Sequence, residues 1–336
     1  MKNFDFENII ISNLKKFASM NEQVAVALSG GSDSLSLILA LHNSNINVLA
    51  IMVDHNLREK AKSEIEQTIK TLNKFKIKYV LKEWDGNVKN NVENEARKAR
   101  YSLLFEVCKE NNIKILCIGH HLDDQIETFL LNLARGSGLD GLCAMPNIIK
   151  KNGIDIIRPM LNLTKKDCEN YLKLLKVEWV EDESNKDTKY KRNKIRFLLE
   201  QIEDRILLEK RIETSIKTLQ EVKETIDKMI AEVEEKIIEY NNNNDEENVK
   251  INTKQFVKLT KYVQKTILVR CILKISKKEY KTRLYQIENI LYKINQYVLN
   301  NKSFRTTLSG CIIETKKDTI IVKKEKYITN NTIFKK

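Results

Sequence analysis

Compact apolar runs alternate with amphipathic stretches over the first third of the chain. Residues 24–28 (VAVAL), 48–53, 79–81 and 115–118 are short apolar segments of strand length. Between them, 34–43, 59–75 and 92–111 carry apolar residues at the three- and four-residue spacing of a helix. A further helix is predicted over 123–135, with Ile126, Phe129, Leu130 and Leu133 as its core face. Strand alternating with helix predicts an α/β domain on a doubly wound, mainly parallel, Rossmann-like sheet.

The pattern then changes. Residues 205–240 read as one long charged helix, with apolar positions at Ile212, Ile216, Leu219, Val222, Ile226, Met229, Ile230 and Val233. The stretch 241–248 (NNNNDEEN) is polar, has no period and reads as a loop. Residues 253–300 are again helical, with Lys and Arg outside, and 304–325 ends the pattern in short strands. The 336 residues, at roughly 100–200 per domain, predict two domains. These are a catalytic domain over 1–210 and a smaller, mainly α-helical, basic domain over 211–336. No internal repeat is visible.

Charge sharpens that division. Net charge is +13, but residues 250–336 hold 21 Lys and Arg against 5 Asp and Glu, while the preceding residues balance at −3. A basic block on a near-neutral body points to a polyanionic partner, unless a general richness in Lys, Ile and Asn accounts for it. No apolar run nears the ~18 residues of a membrane span. The first residues, MKNFDFENII, lack the basic start and apolar stretch of a secretory signal. The expectation is a cytoplasmic protein that is not in the membrane. The six cysteines, Cys108, Cys117, Cys143, Cys168, Cys271 and Cys311, form no CxxC pair and read as small buried hydrophobes.

The strongest local signal is Ser29-Gly30-Gly31-Ser32-Asp33-Ser34, which follows an apolar strand and opens a helix. The glycines let the backbone turn and approach a ligand, and the hydroxyls and helix N–H groups suit phosphate oxygens. The chain holds no GxxxxGK[ST], and this loop is not GxGxxG either, which disfavours P-loop ATPases and dinucleotide enzymes. An acid at Asp33 would repel phosphate, and a bridging Mg²⁺ would give it a reason. Asp54 and His55 close the second strand, at the end of a sheet where nucleotides bind. On the 92–111 helix, Glu93, Arg97, Arg100 and Tyr101 share a face, either as a solvated stripe or as cations aimed at a phosphate.

The richest stretch is Gly119-His120-His121-Leu122-Asp123-Asp124-Gln125-Ile126-Glu127-Thr128. Asp124 and Glu127 are one helical turn apart, away from the predicted apolar face, with Arg135 farther along roughly the same side. Paired acids near a phosphate loop suit capture of an ammonium group, a point charge with three donors. Arg135-Gly136-Ser137-Gly138-Leu139-Asp140-Gly141-Leu142 reads as a flexible loop. Arg158-Pro159-Met160-Leu161, Glu181-Asp182-Glu183-Ser184-Asn185 and Tyr190-Lys191-Arg192-Asn193-Lys194-Ile195-Arg196, a basic cluster with one aromatic, come next. The last suits phosphate contacts or is a solvated face.

Ser29–Ser34 resembles the PP-loop of the N-type ATP pyrophosphatases, which cut ATP between its α and β phosphates and transfer AMP to a carbonyl oxygen. With VDHNLR, ExxARxxRY, GHHxDDQxET, RGxGxxGL, RPxL, EDxSN and RNxIR in this order, residues 20–200 are similar to the tRNA(Ile)-lysidine synthetase family. The resemblance implies adenylation of O2 of the wobble cytidine in a CAU-anticodon isoleucine tRNA. The ε-amine of free L-lysine then attacks C2. It implies ATP and Mg²⁺ as cofactors, Ser29–Ser34 around ATP and Asp33 near the magnesium. It further implies a lysine site at Asp124 and Glu127, with Arg97, Arg100, Arg135, Arg192, Asn193 and Arg196 near ATP or tRNA, and a homodimer. Because protonated lysine is no nucleophile, Asp124, Glu127, His120 and His121 are the candidates to relieve it of a proton. Beyond residue 210 the resemblance thins, and the chain has the look of a short form lacking the family's last domain. The competing readings are a tRNA 2-thiolase and a non-catalytic RNA-binding protein.

Overall fold

The computed structural model describes residues 3–19, 21–54, 61–84, 92–181, 191–243, 246–277, 284–299, 303–316 and 318–325. His55 and the segment 182–185 (Asp182, Glu183, Ser184 and Asn185) lie outside these residues, as does Tyr190. The chain divides into two compact units, Met1–Glu221 and Val222–Lys336.

The first unit is built on six strands: β1 (Val24–Ala27), β2 (Val48–Asp54), β3 (Lys78–Glu83), β4 (Ile115–Ile118), β5 (Ile148–Lys151) and β6 (Ile154–Ile157). Their order is β3-β2-β1-β4-β6-β5, parallel except for β5, which runs antiparallel to β6. Side-chain alternation explains the apolar runs. Val24, Val26, Val48, Ala50, Met52, Ile115 and Cys117 face one layer of helices, while Ala25, Leu49, Ile51 and Leu116 face the other. A parallel sheet buried on both faces needs apolar residues at every position. Each fully buried Val, Leu or Ile contributes about 1.5–3 kcal/mol.

The first layer comprises α1 (Asn3–Lys15), α2 (Ser32–Asn43) and α7 (Lys165–Leu174), where the Phe6 and Tyr171 rings stack at 4.5 Å. The opposite face is covered by α4 (Val92–Glu110), through Leu104, Phe105, Val107 and Cys108. Four helix ends share one device. Asn45, after α2, Lys76, after α3 (Ala61–Lys74), Asn112, after α4, and Lys176, after α7, all take positive φ. The next residue, Ile46, Ile77, Ile113 or Val177, is buried and donates its N–H back to a carbonyl five residues earlier. This Schellman closure turns the chain sharply at the end of each helix.

A third cluster holds α5 (Leu122–Ala134), α8 (Lys191–Glu200) and the start of α9 (Arg205–Ile237) together, through Leu122, Ile126, Leu199, Ile212 and Ile216. Three expectations for this region change. Leu133 is 52% exposed rather than core, because Phe129 and Leu130 already complete the stripe toward α8 and α9. Asp124 and Glu127, read as lying away from the buried face, are themselves buried. The stretch read as a flexible loop contains a helical turn, α6 (Leu139–Leu142).

The second unit carries a five-stranded antiparallel sheet in the order β7-β8-β11-β10-β9. The strands are β7 (Ile238–Asn243), β8 (Glu246–Asn252), β9 (Arg305–Leu308), β10 (Cys311–Lys316) and β11 (Thr319–Lys324). The helices are α10 (Thr253–Phe256), α11 (Lys261–Ser276) and α12 (Leu284–Leu299), besides the last turns of α9. Val249, Ile251, Ile313, Ile320 and Val322 meet Ile267, Leu268, Cys271, Ile287 and Ile294 in one core. The loop expected over 241–248 is overturned: 241–243 and 246–248 pair as strand. The ladder there is made by backbone groups on an edge strand, so polar side chains such as Asn241–Asn243 leave no alternation to read.

Candidate active site

Strands β1 and β4 are parallel neighbours whose outgoing connections lead to opposite halves of the sheet, the switch point where α/β proteins place ligands. The loops leaving them touch. A Cβ on Gly119 would stand 3.0 Å from the backbone C and O of Asp33 and the N of Ser34, so glycine is required for the approach.

The β1–α2 loop is internally braced. Ser34 Oγ accepts from the Ser29 N–H at 3.1 Å and lies 3.1 Å from Ser29 Oγ, while Ser32 Oγ donates to Asp33 Oδ1 at 2.9 Å. Gly30 takes φ +87°, and a Cβ there would stand 2.6 Å from Thr68 Oγ1. Gly31 is the N-cap of α2 and provides no side-chain cap, which leaves the first-turn N–H groups for an anion. Asp54 ends β2 and is buried.

The β4–α5 loop brings two adjacent imidazoles to different charge states. Burial pushes His120 down to about 4, with Arg158, Arg97 and Arg192 adding to this against the pull of Asp124. Its Nδ1 accepts from Arg158 Nε at 3.2 Å, so the neutral ring carries its proton on Nε2. For His121, burial disfavours the cation, but Asp123, Asp33 and Asp124 outweigh it and raise the ring to about 10. Its Nε2 lies 3.5 Å from Asp33 Oδ2 and 3.6 Å from Asp124 Oδ2. Its Nδ1 lies 3.3 Å from Asp123 Oδ2, an ionic contact without hydrogen-bond alignment. Asp33 is in turn held below the usual carboxylate range: burial opposes ionisation, and His121 and Ser32 overcome it.

Asp124 Oδ2 accepts the His121 N–H at 3.2 Å, at the start of α5. One turn on, the buried Glu127 is gripped by Arg196 of α8 through both carboxylate oxygens, Nε to Oε1 and Nη2 to Oε2. Burial raises the Glu127 carboxyl in spite of that partner. Beside this pair opens a cleft of about 590 Å³ lined by both signs of charge: Asp123, Glu127, Glu200 and Glu209 with Lys165, Arg196 and Arg205.

Arg158, Arg97 and Arg192 are the cations that act on His120, and a further basic group surrounds Tyr101. Arg97 and Arg100 lie 5.4 and 5.8 Å from the Tyr101 ring, and Lys151 lies 5.9 Å from it. Burial depresses Arg100 and Arg158. Among the described residues, Arg97, Arg100 and Arg158 form no ion pair with a carboxylate. Arg192 is exposed and Asn193 buried on α8. Arg135 is not brought in: it caps the far end of α5, roughly 16 Å from Asp124 along the axis at 1.5 Å per residue.

Sequence reasoning left three residues of this site unassigned. Arg158 fixes the His120 tautomer. Asp123 accepts the Lys165 N–H at 2.9 Å and faces His121, and Lys165 lines the cleft. Asp123 was legible as half of an acid pair; nothing in the sequence signals Lys165. For magnesium, among the described residues no group of three or more His, Cys, Asp or Glu is arranged around a metal. One carboxylate at the mouth of a phosphate loop matches an ion that arrives on phosphates and keeps its waters. All six cysteines are buried thiols, and none is in a disulfide. Burial raises Cys108 to about 11 and Cys117, Cys168 and Cys271 to about 12, so none of these four is poised as a thiolate. Among the described residues, no helix is long and apolar enough to cross a membrane.

Residues 6–202 match the model of a PP-loop domain family. The chain is 35% identical over 327 residues to the tRNA(Ile)-lysidine synthase of Wolbachia pipientis wMel, covering 95% of this chain and 74% of that one. It is 33% identical over 311 residues to that of Rickettsia bellii (strain OSU 85-389), covering 90% and 70%. Among solved structures, a U34-tRNA thiolase from Methanococcus maripaludis with its [4Fe-4S] cluster superposes with a TM-score of 0.55 at 19% identity, over 65% of this chain and 78% of that one. That likeness is one of fold. With a PP-loop domain over most of its first unit and relatives at this identity over nearly its whole length, the chain belongs to the tRNA(Ile)-lysidine synthase family.

Proposed function

We propose that this chain uses ATP to adenylate O2 of the wobble cytidine in a CAU-anticodon isoleucine tRNA and then joins the ε-amine of free lysine to C2. The observation that carries the reading is the contact of Gly119 with the Asp33 backbone. It makes one site of the phosphate loop and the acid-bearing α5.

In the first step the cytidine O2 attacks the α-phosphorus, an O–P bond forms, and pyrophosphate leaves. The N-terminus of α2, with Ser29, Ser32 and Ser34, receives the phosphates. Asp33 would hold the Mg²⁺ of the nucleotide, which neutralises phosphate charge when bound. Arg97, Arg158 and Arg192 supply cations around His120 for the polyanion. Neutral His120 offers its Nε2–H as a donor, and so is not a base in this tautomer.

In the second step the lysine nitrogen attacks C2, the C2–O bond breaks, AMP leaves and the nitrogen loses a proton. His121 already carries a proton, and both Glu127 oxygens are taken by Arg196. Asp124 therefore holds the ε-ammonium and accepts its proton. The cleft of mixed charge beside Glu127 suits the α-ammonium and α-carboxylate of a free amino acid. The buried thiols give no support to sulfur transfer. The compartment is the cytoplasm, where tRNA, ATP and lysine meet.

The test is incubation with ATP, Mg²⁺, radiolabelled lysine and the CAU tRNA. Acid-precipitable label that needs ATP and survives mild alkali is the expected result. An alkali-labile ester, or no label with a folded protein, contradicts it.

A further inference from the structure

The segment 143–147, between α6 and β5, is held by side chains from three elements. Gln125 of α5 is buried and pairs with the Met145 peptide in both directions. Its Nε2 donates to the Met145 carbonyl at 2.9 Å, and its Oε1 accepts the Met145 N–H at 2.7 Å. The two bonds together fix which way the amide faces. From α9, Gln220 Nε2 donates to the Cys143 carbonyl at 2.8 Å. From the end of β6, Arg158 Nη1 donates to the Pro146 carbonyl at 2.9 Å, and the Arg158 N–H donates to the Asn147 carbonyl at 2.8 Å.

The hold by Arg158 leads into the site. The same guanidinium donates through Nε to His120 Nδ1 at 3.2 Å. A guanidinium is planar, so Nε and Nη1 cannot be aimed independently. Where the Pro146 carbonyl stands therefore sets the plane in which Nε meets His120. Proline has no N–H and a fixed φ, so this carbonyl follows the position of the residue before it. That residue is Met145, and Gln125 anchors both of its backbone polar groups. Gln125 also follows Asp124 in the first turns of α5. One stretch of helix thus carries the carboxylate assigned to the second step and the anchor of the donor assigned to the first.

We propose that Gln125 is a positioning residue for the reaction: through Met145 and Pro146 it sets the Arg158 guanidinium, and so holds His120 as the Nε2–H donor. This rests on the role given to His120 above and adds what keeps the ring in that form.

The experiment compares the wild-type protein with Gln125→Met, Gln220→Met and Asn132→Ala. Asn132 Nδ2 donates to the Gly141 carbonyl at 2.8 Å, so its loss frees a neighbouring loop from α5 without removing a bond to 143–147. The readouts are the ¹⁵N shifts of the His120 imidazole, pyrophosphate release with the CAU tRNA, KM for ATP and the urea midpoint. Gln125→Met should mix the two His120 tautomers and lower kcat for pyrophosphate release about tenfold or more, with KM for ATP unchanged. Gln220→Met should move tautomer and kcat the same way by less, and it carries the test if Gln125→Met does not fold. Asn132→Ala should lower the urea midpoint and change neither. The wild-type tautomer in the folded variant that carries the test would overturn the relay. A mixed tautomer with wild-type pyrophosphate release would overturn its part in the reaction. A wild-type protein that releases no pyrophosphate would overturn the activity itself, and the tautomer would still decide the relay.

Discussion

The buried carboxylate of Glu127 is gripped through both oxygens by the guanidinium of Arg196, from the helix that comes after the sheet domain's last connection. Removing the arginine strands a buried acid. Arg196 is itself partly exposed, so the full penalty of a broken buried pair does not apply. Arg196→Met should cost roughly 1–3 kcal/mol, visible as a lower urea midpoint. Glu127→Gln should fold but raise KM for lysine, and an unchanged lysine KM would detach the pair from the amino-acid cleft.

The contact between Gly119 and Asp33 gives a sharper structural test. Gly119→Ala places a methyl 3.0 Å from backbone atoms that cannot swing away. Overpacking of this kind costs about 1–3 kcal/mol. Because it parts the phosphate loop from α5, AMP transfer should fall more than stability does. Gly138→Ala, with nothing within 4 Å and a negative φ, should change neither.

The two histidines should respond to pH with opposite signs. His120 sits at about 4 in the folded chain against an ordinary 6.5, so between these values the unfolded chain binds the extra proton. Stability should fall as pH drops through that window, by up to about 1.4 kcal/mol per unit, and His120→Asn should flatten the fall. His121, raised to about 10, contributes stability in full below 6.5 and loses it as pH rises through 10. His121→Asn should be most destabilising below about pH 6.5 and progressively less so as pH rises toward 10. Denaturation midpoints across pH read both, and identical acid slopes for wild type and His120→Asn would refute the neutral assignment.

The basic second unit predicts salt-dependent binding of tRNA. Lys258 and Lys261, exposed just before and at the start of α11, contribute to this charge. Changing both to Glu should weaken tRNA binding and reduce the slope of log K against log salt by about one for each phosphate that is no longer neutralised. An unchanged slope would remove these two residues from the interface.

The sheet domain was legible because its strands are buried on both faces and its helices keep the 3.6 period. The phosphate loop and α5 were legible because chemistry fixes spacing there. What escaped has a physical reason in each case. The hairpin of β5 and β6 turns on Asn152-Gly153, both with positive φ, a two-residue turn signal that the flanking Ile and Lys residues did not reinforce. The strand over 238–243 is held by backbone pairing, so its Asn run carried no pattern. The burial of Asp124 and Glu127 comes from α8 packing back on α5, and helical spacing within α5 cannot report that. Arg158 finds His120 across 38 residues, a relation that only the folded chain contains.

In the proposed function one site performs two separable steps, with Asp124 serving only the second. The direct measurement is tRNA-dependent AMP transfer and lysine incorporation in wild-type protein and Asp124→Asn, read in the same reactions. In that variant pyrophosphate release should stay near the wild-type rate and lysine incorporation should fall about a hundredfold or more. Wild-type lysine incorporation in Asp124→Asn, or equal loss of both steps in a folded variant, would contradict it.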